Sequence, residues 1–276
     1  MALRWIRTPA RCRTDTAGVR STDCRLLSTQ KPLRDLNCTE ENTQRAEIQH
    51  KALQISRSWP AADSLVLPIP RYKSRDATPS NNITHMTTNF MIYLPQRTMY
   101  QQPTNKPHIL RHLQLLLLKR SPQANPFPNA WTAISGRLEH SLDGALESPI
   151  EAALREIKEE TNQDPTCFRL ETALPPFAIT SPGSKTWRVW LILWRIQLHS
   201  RQHDFPLDGA ENVSDPEARR KTSSSLSELI RLDHENVEFS WESWEGLNAL
   251  PELVPGLVGS FERLVDQWVE ANLRTD

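Results

Sequence analysis

Cysteine is scarce in this chain, and net charge and long apolar runs are absent. Four of the 276 residues are cysteine. Cys12, Cys24 and Cys38 lie in the leading segment, and Cys167 stands alone further on. None has zinc-ligand spacing, and such scattered thiols make no disulfide framework, so a reducing compartment is expected. The longest apolar run, Val189 to Leu193 closed by Trp194, is far too short for a membrane-spanning helix. No repeat or heptad pattern is present. Formal charge sums to zero but is unevenly spread: residues 1–105 carry 15 Lys/Arg and 8 Asp/Glu, residues 106–276 carry 18 and 25. The acidic C-terminal part argues against an electrostatic nucleic-acid surface. It suits a site that recruits cations before phosphate. Neither a nucleic-acid nor a membrane partner is expected, and the oligomeric state is left open.

The length allows one large domain, or an ordinary domain with a tail. Residues 1–36 hold Arg4, Arg7, Arg11, Arg13, Arg20, Arg25 and Arg34 against Asp15, Asp23 and Asp35. That Arg-, Ser- and Thr-rich composition resembles a mitochondrial targeting peptide; an ordinary disordered tail in a cytoplasmic protein is the alternative. Residues 37–105 read as a polar, proline-broken linker, disordered for the most part. Leu65 to Ile69 suggests a short strand with no core to join. Residues 106–276 read as the folded domain.

Within it, His108 to Leu118, Trp131 to Ser135, Cys167 to Ala173, Thr186 to Leu198 and Val237 to Trp241 read as strands. Residues 149–161 and a C-terminal segment with Leu257, Phe261, Leu264, Val265, Trp268 and Val269 read as amphipathic helices. Arg201 to Ser225 is polar and proline-containing, and is expected to be a mobile insertion serving as an active-site lid. Helices on both faces of a mixed sheet make an α/β/α sandwich, preceded by a largely disordered N-terminal segment.

The chemistry concentrates between Gly136 and Asn162. Ser148-Pro149 is a helix start, with Glu151 placed for a capping box. Ile150, Ala153, Leu154 and Ile157 form the apolar stripe. Glu156, Glu159 and Glu160 share the polar face within one turn. Acids so close repel unless a cation joins them, and hard oxygen ligands are what Mg²⁺ prefers. Such an ion can acidify water and neutralise charge on a leaving phosphate. Arg155 can orient one carboxylate through paired hydrogen bonds, and the Gly136 loop can bring a backbone carbonyl close. An exposed acidic helix is the plainer reading of a lone Glu-x-x-Glu-Glu. The coincidence of Arg155, Glu147 and a preceding strand and glycine favours the metal site.

These residues resemble the Nudix hydrolase family, whose signature is Gly, five residues, Glu, seven residues, Arg-Glu-aliphatic-x-Glu-Glu-x-Gly-aliphatic. Glu147 through Glu160 fits at every fixed position. The resemblance implies that Glu156, Glu159 and Glu160 hold divalent metal, Mg²⁺ or alternatively Mn²⁺. It implies that a carbonyl near Ser135 or Gly136 completes the shell, and that Arg155 and Glu147 brace the motif. Three positions depart from the signature. Gly136 stands ten residues before Glu147, so Ser141 to Ala145 is an insertion, read as a solvent bulge around the turn Asp143-Gly144. Asn162 replaces the closing glycine, and Gln163 the last aliphatic residue. Trp131 to Glu139, and Glu235 six residues before Trp241, look like the branch that hydrolyses dihydroneopterin triphosphate and dATP. That likeness gives Glu235 the role of a further metal ligand or general base, and Glu235, or else Glu238, is expected to activate or orient the water.

The expected activity is Mg²⁺-dependent hydrolysis of a phosphoanhydride in a small nucleoside or pterin triphosphate, releasing diphosphate. Glu156, Glu160 and Glu235 are the expected catalytic residues. Trp131 and Trp187, among nine tryptophans, are candidates for stacking on the substrate's ring, against the plainer reading as core residues. His140 and His234 read as surface histidines. A dinucleotide or ADP-ribose substrate is one rival reading; a non-catalytic ligand-sensing domain is the other.

Overall fold

Among the described residues, a seven-stranded mixed sheet with helices on both faces organises the chain. The computed structural model describes residues 34–68, 83–94, 106–140, 144–180, 185–197, 230–247 and 249–273. In chain order these form α1 (Arg34–Ser56), β1 (Ile83–Tyr93), α2 (Lys106–His112), β2 (Gln114–Arg120), β3 (Trp131–Thr132), β4 (Ile134–Arg137), α3 (Pro149–Thr161), β5 (Phe168–Thr180), β6 (Thr186–Ile196), β7 (Asn236–Ser243), α4 (Trp244–Leu247) and α5 (Leu257–Leu273). The main path runs β3-β2-β1-β6-β5, with β4 joined to β1 and β7 to β2. Only the β1–β6 pairing is parallel among these ladders.

Alternation along the strands divides the apolar side chains between two cores. Met91, Leu116, Leu118, Trp190, Ile192 and Trp194 face α1 and α3. Phe90, Ile92, Leu115, Leu117, Leu191 and Leu193 face α2 and α5. Both faces being covered explains why β2 and β6 read as continuous apolar runs rather than alternating ones. Each large side chain so buried stabilises the fold by about 1.5–3 kcal/mol before entropy is counted. Among the described residues, no helix is long and apolar enough to cross a membrane.

Residues 37–105 are not simply a linker. They contain most of α1, whose Ile48 and Ala52 are buried in the first core. They also contain β1, which pairs β6 from Ile83 to Ile92 and contacts β2 and β4 besides. Its first half is polar, and Thr87 and Asn89 are nonetheless fully buried. Asn89 Oδ1 accepts from the Trp194 indole N–H at 3.1 Å, so a long-range partner offsets a polarity that looked unfit for a core. Leu65 is likewise buried, but not as a strand. The Ser64 hydroxyl accepts from Val66 and Leu67 N–H, both at 3.3 Å, and the Leu65 carbonyl accepts from Ile150 N–H at 3.0 Å. That last bond supplies one of the orphan donors at the start of α3.

The expected strand from His108 begins instead as α2. Pro107 suits a helix's first turn, and Arg111 and His112 sit in its last turn, where the helix dipole favours positive charge. The segment from Trp131 divides into β3, on β2, and β4, on β1. The proposed lid at 201–225 lies outside the described residues.

Candidate active site

α3 is fixed at both ends by its own sequence. Ser148 accepts from Glu151 N–H, and the Glu151 carboxylate accepts from Ser148 N–H at 3.2 Å, completing the capping box. Asn162 ends the helix in the left-handed region at φ 55°, its N–H donating to the Lys158 carbonyl at 2.8 Å. Ile150, Ala153, Leu154 and Ile157 are buried against the sheet. Glu156, Glu159 and Glu160 are thereby turned toward β4 and the segment entering β7.

Gly136 on β4 is required by close approach. A Cβ there would lie 1.7 Å from the Glu156 carboxyl carbon, so any side chain would evict that carboxylate. The loop insertion therefore has not displaced the glycine from its place against α3. The insertion closes at its base: Glu147 N–H donates to the Glu139 carbonyl and Glu139 N–H to Glu147 Oε1, both at 2.8 Å, with a bridge between His140 and Leu146. Gly144 takes up the turn at φ 83°, and residues 141–143 lie outside the described residues.

Arg155 binds the pieces together. Its guanidinium donates to Glu147 Oε1 at 2.5 Å, to the Arg137 carbonyl at 2.8 Å, to Glu156 Oε1 at 2.7 Å and to Glu159 Oε2 at 3.0 Å. Burial works against its charge, but Glu147 and Glu156 outweigh burial and raise its pKa. Arg155 and Glu147 are thus bonded to each other, and Arg155 is bonded to the loop through the Arg137 carbonyl. Burial also raises the Glu156 pKa, and Arg155 opposes that rise.

Glu160 is the most deeply buried acid of α3, 7% exposed. Its Oε1 accepts from Ser135 N–H at 3.3 Å and its Oε2 from the Asn236 amide at 3.1 Å. Burial, then the charges of Glu156 and Asp233, push its pKa up to about 8.

The opposite wall comes from the chain entering β7. Arg231 N–H donates to the Thr161 carbonyl at 3.1 Å, and Ser121 N–H to the Glu235 carbonyl at 2.8 Å, so both ends of this turn are tied down. Glu156, Glu159, Glu160, Asp233, His234 and Glu235 together line a pocket of about 320 Å³. The five carboxylates are a hard-donor set suited to a divalent cation, and the imidazole adds a softer nitrogen donor. Among the described residues no three such groups already converge into a metal cage. Glu156 and Glu159 are turned to Arg155 instead.

Other expectations fall differently. Glu238 is not in this wall; its exposed carboxylate pairs with Lys119 at 3.2 Å. Trp131 is 6% exposed and packed in the second core, where its backbone also bridges to Leu253, the placement of a core residue. Trp187 is half-buried, with the Arg137 guanidinium 5.3 Å and Lys185 Nζ 5.5 Å from its ring. His140 and His234 are exposed, and His234 also lines the pocket. Sequence reasoning missed Asp233 and Asn236. Neither belongs to the helix motif, and only their nearness to Glu235 could have drawn attention to them.

The NUDIX domain family matches residues 108–257, and the chain belongs to that family. Similar solved structures include a Nudix hydrolase from M. smegmatis, RenU (15% identity, 68% of this chain and 85% of that one, TM-score 0.41). A C. elegans Ap4A hydrolase binary complex is another (15%, 65% and 96%, TM-score 0.39). A third is the NUDIX domain of Shewanella oneidensis NrtR complexed with ADP ribose (12%, 70% and 93%, TM-score 0.39). No curated protein sequence matches this chain.

Proposed function

We propose that this chain is a Mg²⁺-dependent pyrophosphohydrolase that cleaves a phosphoanhydride in a small nucleoside or pterin triphosphate and releases diphosphate. The observation that carries this reading is the pair of acidic walls, Glu156, Glu159 and Glu160 on α3 facing Asp233 and Glu235 across one pocket. Bound there, Mg²⁺ or Mn²⁺ would neutralise charge on the anhydride phosphates and acidify the attacking water. Glu156, Glu159 and Glu160 would hold the ion, with a carbonyl of the Ser135–Gly136 segment beside them. Arg155 keeps Glu156 and Glu159 at a fixed spacing while tying them to the loop through Glu147 and the Arg137 carbonyl. A carboxylate of the facing wall, Glu235 in the branch resemblance, orients or deprotonates water.

Trp187 with Arg137 is the candidate contact for the base or pterin ring, because an aromatic face flanked by cations suits a planar, anionic ligand. The test is a panel of dNTPs, dihydroneopterin triphosphate, ADP-ribose and a dinucleotide polyphosphate, with diphosphate and phosphate measured separately. Diphosphate release from a triphosphate supports the proposal. Release only from ADP-ribose or the dinucleotide moves the substrate class, and no hydrolysis with Mg²⁺ or Mn²⁺ refutes it.

A further inference from the structure

Resting on that reading, we infer that Asn236 is a positioning residue that holds Glu160 and Asp233 as one unit, making Asp233 rather than Glu235 the working carboxylate of the facing wall. Asn236 is 5% exposed, at the first position of β7. Its amide nitrogen carries two hydrogens. It donates to Glu160 Oε2 at 3.1 Å and to Asp233 Oδ1 at 3.2 Å. One neutral group therefore ties the deepest acid of α3 to the first acid of the opposite wall.

The amide oxygen of Asn236 is buried without a partner. An apolar side chain of the same shape would avoid that cost. What the amide contributes is therefore its nitrogen, and both hydrogens of that nitrogen go to pocket carboxylates.

Asp233 is held more firmly than Glu235. Its Oδ1 also accepts from Glu235 N–H at 3.1 Å, and its side chain is 21% exposed. Glu235 is exposed, and its hydrogen bonds run through its backbone, to Asp233 and from Ser121. A side chain fixed in advance can act on a cation or water without first losing conformational freedom.

The two halves of the site also differ in charge. Arg155 offsets Glu147, Glu156 and Glu159. Among the described residues, no arginine or lysine pairs with Glu160 or Asp233, and the His234 imidazole stands 3.9 Å from Asp233. A neutral clamp keeps two negative groups together without cancelling them. The cation's tightest position is therefore at the Glu160–Asp233 end of the pocket.

The test is Mn²⁺ affinity of the full chain, read from the paramagnetic resonance of free Mn²⁺, without turnover. Asn236→Ala and Asp233→Asn should each weaken binding by about tenfold, as loss of groups supporting metal ligands does. The double variant should lose less than the product of the two single losses, because part of what Asn236 does is to hold Asp233 while its hold on Glu160 is separate. Glu235→Gln should weaken binding less than Asp233→Asn. A packing role for Asn236 would instead give losses that multiply in the double variant, and that result overturns the inference, as does a larger loss in Glu235→Gln. If Asn236→Ala fails to fold by circular dichroism, Asn236→Ser keeps one donor and should fall between wild type and Asp233→Asn; wild-type affinity there overturns the inference. Wild-type protein that binds no Mn²⁺ overturns the proposed function as well, whereas binding unchanged by Asn236→Ala overturns this inference only.

Discussion

Glu160→Gln should remove turnover while making the metal-free protein more stable. Glu160 is 7% exposed, with Glu156 and Asp233 as like-charged neighbours, and its pKa stands at about 8 against an ordinary 4.5. A raised carboxyl pKa means that the folded state binds a proton the unfolded state gives up at neutral pH. The penalty is absent below pH 4.5, grows as pH rises, and is complete above about 8. At pH 7 two and a half pH units of it apply, roughly 3 kcal/mol at about 1.36 kcal/mol each. An amide at this position carries no such penalty. Its oxygen can still accept from Ser135 N–H, and a flipped Asn236 can offer its now unpaired oxygen to the new N–H₂. Allowing for that rearrangement, a gain of about 1–3 kcal/mol is expected, or several degrees in Tm. The assay is urea and thermal unfolding in EDTA at pH 5 and pH 7, repeated with Mg²⁺, beside diphosphate release. The gain should be large at pH 7, small at pH 5, and reduced by Mg²⁺, which stabilises the wild type alone. Loss of stability in EDTA at pH 7, or an equal gain at both pH values, refutes the electrostatic reasoning. Wild-type turnover by the variant refutes the role of Glu160.

Other expectations follow from the same geometry. Gly136→Ala should displace the Glu156 carboxylate and lower kcat by about a hundredfold, since misplacement by about 1 Å can cost that much; wild-type activity would show that the contact does not matter. Trp131→Ala should destabilise the fold by about 3–5 kcal/mol, as large core truncations do. Trp187→Ala should instead raise KM with little change in the unfolding midpoint, and the reverse pattern would exchange the roles of the two tryptophans. The composition of residues 1–36, rather than any geometry, sets a last test: fused to a fluorescent protein they should direct it to mitochondria if they are a targeting peptide, and a diffuse signal would leave the reading as an ordinary tail.

The helix motif was legible because its determinants are local. Ser148, Pro149, Glu151 and Asn162 set both ends, and the carboxylates follow from a 3.6-residue period. The covered sheet was legible too, in the apolar runs of β2 and β6. β1 was hidden because Thr84 to Asn89 is polar, and what buries it lies a hundred residues away in β6. α2 was hidden because Ile109, Leu110 and Leu113 fit either period, with Pro107 the only local hint. Asp233 and Asn236 reach α3 only through the register of β7 on β2 and the bond from Arg231 to Thr161, which no local pattern reports. The burial of Trp131 was not legible, because it depends on α5 and the Leu253 bridge.

Anomalous diffraction from a Mn²⁺-soaked crystal tests the central claim most directly. A manganese peak bonded to Glu160 and Glu156, close to Asp233, with Glu156 Oε1 no longer held by Arg155 alone, is the expected result. Full soaking with no peak between α3 and the turn entering β7, or a peak held only by exposed acids elsewhere, would contradict it.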